Sequence, residues 1–214
     1  MVGASLARSF FERPTPEVAL ALLGVRLVRR WESGAVSTGL IVEAEAYGGA
    51  GDRASHARSG PTRRNSAMFG PAGHAYVFRV YGVHACLNVV AAADGAVGAV
   101  LLRAVMPELG TEVLLARRTS VGRVVPPLVR LAAGPGKVTA AFGIGLAWDG
   151  LDLIAGAAVS LCVPEGEVQA ALLAAGVVRG PRVGVDYAGP DRALPWRFGV
   201  RGHPSLSRAF PRGA

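Results

Sequence analysis

The run IVEAEAYGGAGDRASH, from Ile41 to His56, sets two carboxylates, a tyrosine and a histidine just after an apolar, β-like segment. Glu43, Glu45 and Tyr47 are spaced by two, so on an extended strand all three point to one face. Two carboxylates facing the same way are hard to bury together, because like charges raise the pKa of one of them. One then acts as a base while the other is solvated or paired with arginine. An edge strand with a wet face is the plainer alternative. His56 lies across a glycine-rich loop able to fold back over the strand, and taken alone it reads as a surface histidine.

Working outward, Thr15-Pro16-Glu17 followed by VALALLG predicts a helix with an N-cap, a proline in its first turn and Gly24 as its stop. VRLVRRW predicts a strand, and Ser33-Gly34 turns it into a second strand ending near Tyr47. Residues 48–71 are rich in Gly, Ser, Arg and Pro without an apolar period, which predicts a long surface loop. AYVFRVY, CLNVVAA and AVLLRAV, separated by Gly82 and by Asp94-Gly95, predict an antiparallel meander. A helix is expected over Pro107 to Arg118. Gly134-Pro135-Gly136-Lys137 predicts a loop that offers backbone N–H groups at a helix start, a setting that suits phosphate. LDLIAG and AVSLCV predict two short strands, QAALLAAG a short helix or apolar turn, and RFGVRGHPSLSR a last strand with a basic end.

The chain has 214 residues, enough for one sizeable core, so a single domain over 1–214 is expected. Its net charge of +8 predicts an anionic partner. A GC-rich genome would account for the single lysine among 23 basic residues, but not for the shortage of acids. Cys86 and Cys162 lie far apart in apolar contexts and are expected as free, buried thiols; the four histidines form no zinc pattern, so no metal is expected. The opening MVGASLARSFF lacks a signal-type apolar core, and no stretch approaches the ~18 apolar residues of a membrane span. A soluble cytoplasmic protein with no membrane contact is the expectation.

Tyr81-Gly82-Val83-His84 occupies the tip of a predicted hairpin. A tyrosine exposed there on a basic protein is suited to wedging into a base stack, unless it folds back on the sheet. Asn88 and Arg103 interrupt apolar strands and need polar partners. Asn88 suits a base edge or its own backbone, and Arg103 suits a phosphate or a carboxylate such as Glu45. A purely structural Arg103–Glu pair is the competing view. A Schiff-base mechanism would need Lys137, the only lysine, or the N-terminal amine; its GPGK setting suits phosphate better, which favours water as nucleophile.

Through SFFERPTPEVALALLGVRLVRR, IVEAEAYGG, HARSG, RRNSAMF, PAGHAYVFRVYGVHACLN, DGAVGAVLLRAV, GPGK, RVGVDYAG and RFGVRG, the chain resembles the alkyladenine (3-methyladenine) DNA glycosylases of the mammalian-enzyme type. The resemblance implies an enzyme that flips a damaged purine out of duplex DNA and hydrolyses its N-glycosidic bond without metal or redox cofactor. It matches Glu45 to the general base that activates water and Arg103 to the arginine that helps hold the site. Tyr47 and His56 match residues that stack on and hydrogen-bond the flipped base, Tyr81 the side chain inserted into the duplex, and Asn88 the asparagine that disfavours guanine. Phe78 replaces a tyrosine of the mammalian member and keeps the stacking face. Val83 and His84 replace a methionine and a tyrosine beside the wedge, and Gly136 stands where serine is usual. The implied fold is α+β in one domain, a curved antiparallel sheet with helices packed outside it and a protruding hairpin that inserts into DNA. The implied partner is double-stranded DNA containing damaged purines, bound by a monomer. Two alternatives stand beside this reading: a catalytically idle nucleic-acid-binding module on the same scaffold, and a hydrolase of free nucleosides.

Overall fold

The computed structural model describes residues 3–93, 95–121 and 125–211. Strand β2 (Arg26–Arg30) turns at Gly34, whose φ of +83° suits glycine, into the long β3 (Val36–Tyr47). One edge of β3 pairs with β6 (Ala99–Pro107), which continues through β5 (His84–Val90) to β4 (Ala75–Val80). Its other edge is shared: β2 holds residues 36–40, and β9 (Arg197–Val200) holds Glu43 to Glu45. Beyond β2 lie β7 (Val159–Val163) and β1 (Ala4–Ser5), and β8 (Val177–Gly180) covers β9. Every pairing is antiparallel, and the fold class is α+β as expected.

The β3–β6 ladder carries two offsetting irregularities. Ile41 opposes Val105 and Glu43 opposes Ala104, which leaves Val42 extra on β3; Ala44 then opposes Leu102, which leaves Arg103 extra on β6. An extra residue bends a strand and exchanges its two faces. Accordingly Ile41 and Val105 lie in the main core before the slip, whereas Ala44, Ala46, Leu102 and Val100 lie in it afterwards. Glu43, Glu45, Tyr47, Leu101 and Arg103 are thereby turned to the opposite face, where the cavity described below opens.

The core side of the sheet is closed by helix α1 (Thr15–Ala21), with Pro16 in its first turn, and by α3 (Pro135–Phe142), which packs across β5 and β6. Phe11, Leu22, Leu23, Leu27 and Phe142 fill the space between them and are fully buried. Helix α2 (Thr111–Val121) starts later than the expected Pro107, because residues up to Pro107 stay hydrogen-bonded in β6. Helix α4 (Gly166–Leu173) overlaps the expected QAALLAAG but starts and ends three residues earlier.

Three further expectations change. Residues 48–71 are not simply a surface loop: they form 3-10 turns at His56–Ser59 and Ser66–Phe69, and Asp52, Ser55 and Asn65 are buried by satisfying local backbone groups. LDLIAG makes only an isolated bridge, His74 to Asp152, since the Asp152 side chain caps the N–H groups of Ile154 and Ala155 and bends the chain. GPGK is not a loop before a helix; Pro135 to Lys137 are already the first turn of α3. Of the expected Asp94-Gly95 turn, Asp94 lies outside the described residues. Cys86 and Cys162 are free and buried. Among the described residues no helix is long and apolar enough to cross a membrane.

Candidate active site

On the face turned outward by the bulges, Glu43 and Glu45 are both fully buried. Neither is the solvated carboxylate that the strand pattern left open. Glu45 Oε1 accepts the Val183 N–H at 2.7 Å, and its Oε2 accepts from the Tyr47 hydroxyl at 2.9 Å and from Arg103 Nη1 at 3.1 Å. Glu43 Oε1 accepts from Arg103 Nε at 3.0 Å and from Arg197 Nε at 2.7 Å. Two carboxylates therefore meet two guanidinium groups, which is how buried charges are made tolerable.

The titration of these groups follows from that geometry. Burial holds Glu45 above the usual carboxylate range, against the pull of Arg103, the Val183 N–H and Tyr47. Burial, and then the neighbouring Glu45 charge, raise the Tyr47 phenol well above its ordinary value, so it stays protonated and donates. For Arg103, burial alone would lower the pKa, but the charges of Glu45 and Glu43 override it and raise it.

Tyr47, Arg103 and Val183, the three groups bonded to Glu45, line a cavity of about 500 Å3. Its walls are aromatic. The His56 ring meets Phe78 edge-on at 4.5 Å, Phe78 lies 5.3 Å from Tyr76, and the Tyr76 hydroxyl is 2.8 Å from His56 Nδ1. Burial, followed by the charges of Arg64 and Arg58, lowers the His56 pKa, which favours the neutral imidazole. Asn88 lines the same cavity and donates its side-chain amide to the Tyr76 carbonyl at 3.0 Å, which fixes the amide plane.

Tyr47 itself is held from behind. The Arg182 guanidinium lies 4.9 Å from the Tyr47 ring and 5.1 Å from that of Trp196. Both of its terminal nitrogens bond Asp52, at 2.6 and 2.9 Å. Burial would raise the Asp52 pKa, but these bonds and the Gly48 and Ala54 N–H groups hold it below the usual range.

At the mouth, β4 and β5 are joined through Tyr81 and Gly82, both with positive φ, 52° and 69°. For tyrosine this left-handed conformation costs about 1–2 kcal/mol, and the residue is 92% exposed. Val83 beside it is exposed as well, and His84 packs at the root of the hairpin against α3. A Cβ on Gly136 would stand 3.1 Å from His84 Cβ and 3.2 Å from its ring, so glycine at 136 makes room for this histidine. Lys137 does not line the cavity; it sits half-buried, its pKa lowered by burial and then by Arg130 and Arg118. Arg64 and Arg79 do line it, beside Phe78 and Tyr81.

The structure thus gathers Glu45, Arg103, Tyr47, His56, Phe78, Asn88, Tyr81 and His84 around one opening and leaves Lys137 outside its lining. Sequence reasoning passed over Arg182, Arg197 and Ser207. The available signal was an arginine opening each of the apolar runs RVGVDYAG and RFGVRG. Among the described residues no group of three or more His, Cys, Asp or Glu side chains is arranged to hold a metal ion.

Comparison with known proteins is consistent along the chain. The family model described as methylpurine-DNA glycosylase matches residues 9–204. A protein of Methanocella arvoryzae is 43% identical over 206 residues, which are 96% of this chain and 97% of that protein. One from Methanoculleus marisnigri is 44% identical over 204 residues, covering 95% of this chain and 99% of its own, and one from Rhodopseudomonas palustris is 41% identical over 209, covering 98% and 94%. All three are provisionally named 3-methyladenine DNA glycosylases. With its matched length, its carboxylate–arginine centre and its aromatic cavity, the chain belongs to the methylpurine-DNA glycosylase family.

Proposed function

We propose that this protein is a monofunctional DNA glycosylase that draws an alkylated purine nucleotide, with 3-methyladenine as the leading substrate, out of duplex DNA and hydrolyses its N-glycosidic bond. The observation that carries the reading is Glu45: a fully buried carboxylate with a raised pKa, whose three bonded partners all line an aromatic cavity. A volume of about 500 Å3 is in the usual range for a small-molecule site.

In this reading the flipped base stacks among Tyr47, His56 and Phe78, and the Asn88 amide crowds the exocyclic amino group of guanine. Water seats where Tyr47, Arg103 and Val183 meet. The bond from C1′ to the base nitrogen breaks with its electron pair going to the base, which cancels the positive charge that alkylation placed there. Water oxygen bonds C1′, and its proton passes to Glu45. The ionised carboxylate also stabilises the cationic sugar. Tyr81 fills the gap in the base stack, and the strain in its backbone is of the kind that collects at functional sites. Arg64, Arg79 and the net charge of +8 favour the flanking phosphates, so affinity should fall steeply with salt.

Glu45→Gln tests this directly. Base release from methylated duplex should fall by roughly 10²- to 10⁴-fold, with duplex binding retained. Because the base acts ionised and its pKa is raised, the acid limb of the rate should lie above 4.5, the ordinary value for this side chain. A wild-type protein that binds duplex and releases nothing would establish the idle-module alternative. Release from free nucleosides at the same rate as from duplex would establish the nucleoside hydrolase.

A further inference from the structure

Glu43 has no part in the chemistry above, yet it is fully buried and receives more bonds than Glu45. Two of them come from the strap that follows β9, past residue 204, where the family match ends. The Ser207 N–H donates to Glu43 Oε2 at 2.6 Å and the Ser207 hydroxyl donates to Oε1 at 2.8 Å. The same hydroxyl accepts from Arg103 Nη2 at 3.1 Å and more weakly from Nε at 3.3 Å.

The Arg103 guanidinium is therefore fixed at three corners: Nε on Glu43, Nη2 on Ser207, and Nη1 on Glu45. Two corners would leave a planar group free to rock about the line joining them. The strap is itself seated firmly. The Arg208 carbonyl accepts from Arg197 Nη2 at 2.5 Å, and the Phe210 ring lies 3.9 Å under the Arg197 guanidinium. A Cβ at Gly199 would meet that ring at 2.7 Å, so the glycine in the middle of β9 keeps the seat open.

We propose that Ser207 is a positioning residue for base excision: its hydroxyl bridges Glu43 and Arg103 and so aims Arg103 Nη1 at Glu45. The proposal rests on the glycosylase reading, with Glu45 as the group that activates water. Ser207 makes no bond to Glu45 and does not itself line the cavity; its hydroxyl reaches Glu45 through Arg103, which does.

The test uses the full chain as wild type, Ser207→Ala and Ser207→Thr. Single-turnover release of 3-methyladenine from methylated duplex is followed across pH, alongside duplex affinity and Tm. Ser207→Ala should slow release roughly 10- to 100-fold, the scale of a small misplacement of a reacting group, with affinity unchanged. Its acid limb should move to higher pH, since Glu45 faces Arg103 and Cys86 across the sheet, Glu43 and Tyr47 along its own strand and the Val183 N–H; of these the variant frees Arg103 and takes one bond from Glu43, which keeps its negative charge beside Glu45 and its bonds from Arg197 and the residue 207 N–H. Ser207→Thr, which keeps the hydroxyl, should restore both rate and limb. Equal rates in wild type and Ser207→Ala would overturn the positioning role while leaving the glycosylase reading intact. So would a loss in Ser207→Ala that Ser207→Thr does not restore, or one that only follows a fall in affinity or Tm. A wild type that releases no base would overturn both.

Discussion

Ser37, near the start of β3, and Glu45, near its end, both sit close to buried arginine, but the two clusters are built on different physics. At the first end Trp31 donates to Ser37 Oγ at 2.8 Å, and the Arg29 guanidinium lies 4.5 Å from the Trp31 ring and 4.6 Å from that of Trp148. Arg117 approaches Trp31 as well, at 5.2 Å. Arg29 gives hydrogen bonds to the carbonyls of Arg30 and Ala158, and among the described residues no carboxylate forms an ion pair with it. Burial, then the Arg117 charge, lowers its pKa. At the second end Arg103 and Arg197 are enclosed by carboxylates, and Arg103 moves the other way, its pKa raised. Arginine at Trp31 is a flat packing group, whereas arginine at Glu45 is a fixed charge.

If this distinction holds, the largest effect belongs to Arg103→Met. It leaves two buried carboxylates with one guanidinium between them and should cost about 3–5 kcal/mol of stability, read from the urea midpoint. A loss under about 1 kcal/mol would show that this cluster is packing too. Trp148→Ala should come next, at about 2 kcal/mol, through loss of the apolar area its indole buries against the main core, with base release unaltered. Arg29→Met should be smallest. It keeps the volume between the indoles, removes a buried Nε that has no hydrogen-bond partner, and should change stability by no more than about 1 kcal/mol. A cost for Arg29→Met equal to that for Arg103→Met would erase the comparison.

Much of the fold was legible because its elements are local. The Thr15-Pro16 helix start, the Ser33-Gly34 turn and the three meander strands depend on residues a few positions apart. Two-residue spacing also placed Glu43, Glu45 and Tyr47 on one face, and of the two partners that the polar interruption at Arg103 left open, a phosphate or a carboxylate, Glu43 and Glu45 supply the second. What was missed is non-local. Asp52 looks like any loop acid until Arg182 arrives from far along the chain, and nothing near Ser207 in sequence announces Glu43. Strand β8, only four residues long and ending in glycine, had no apolar period to betray it and exists because β9 pairs with it.

The sequence by itself determined that β3 would carry two carboxylates and a tyrosine side by side, because side chains on an extended chain alternate with a period of two. It could not say which face they would occupy. That was decided by the extra residues Val42 and Arg103 in the β3–β6 ladder, which move Ala44 and Ala46 into the core and turn Glu43, Glu45 and Tyr47 away from it. A slip of one residue is set by the best total packing of both faces, together with the ion pairs that β9 and the strap bring to Glu43. Only the assembled sheet contains that sum.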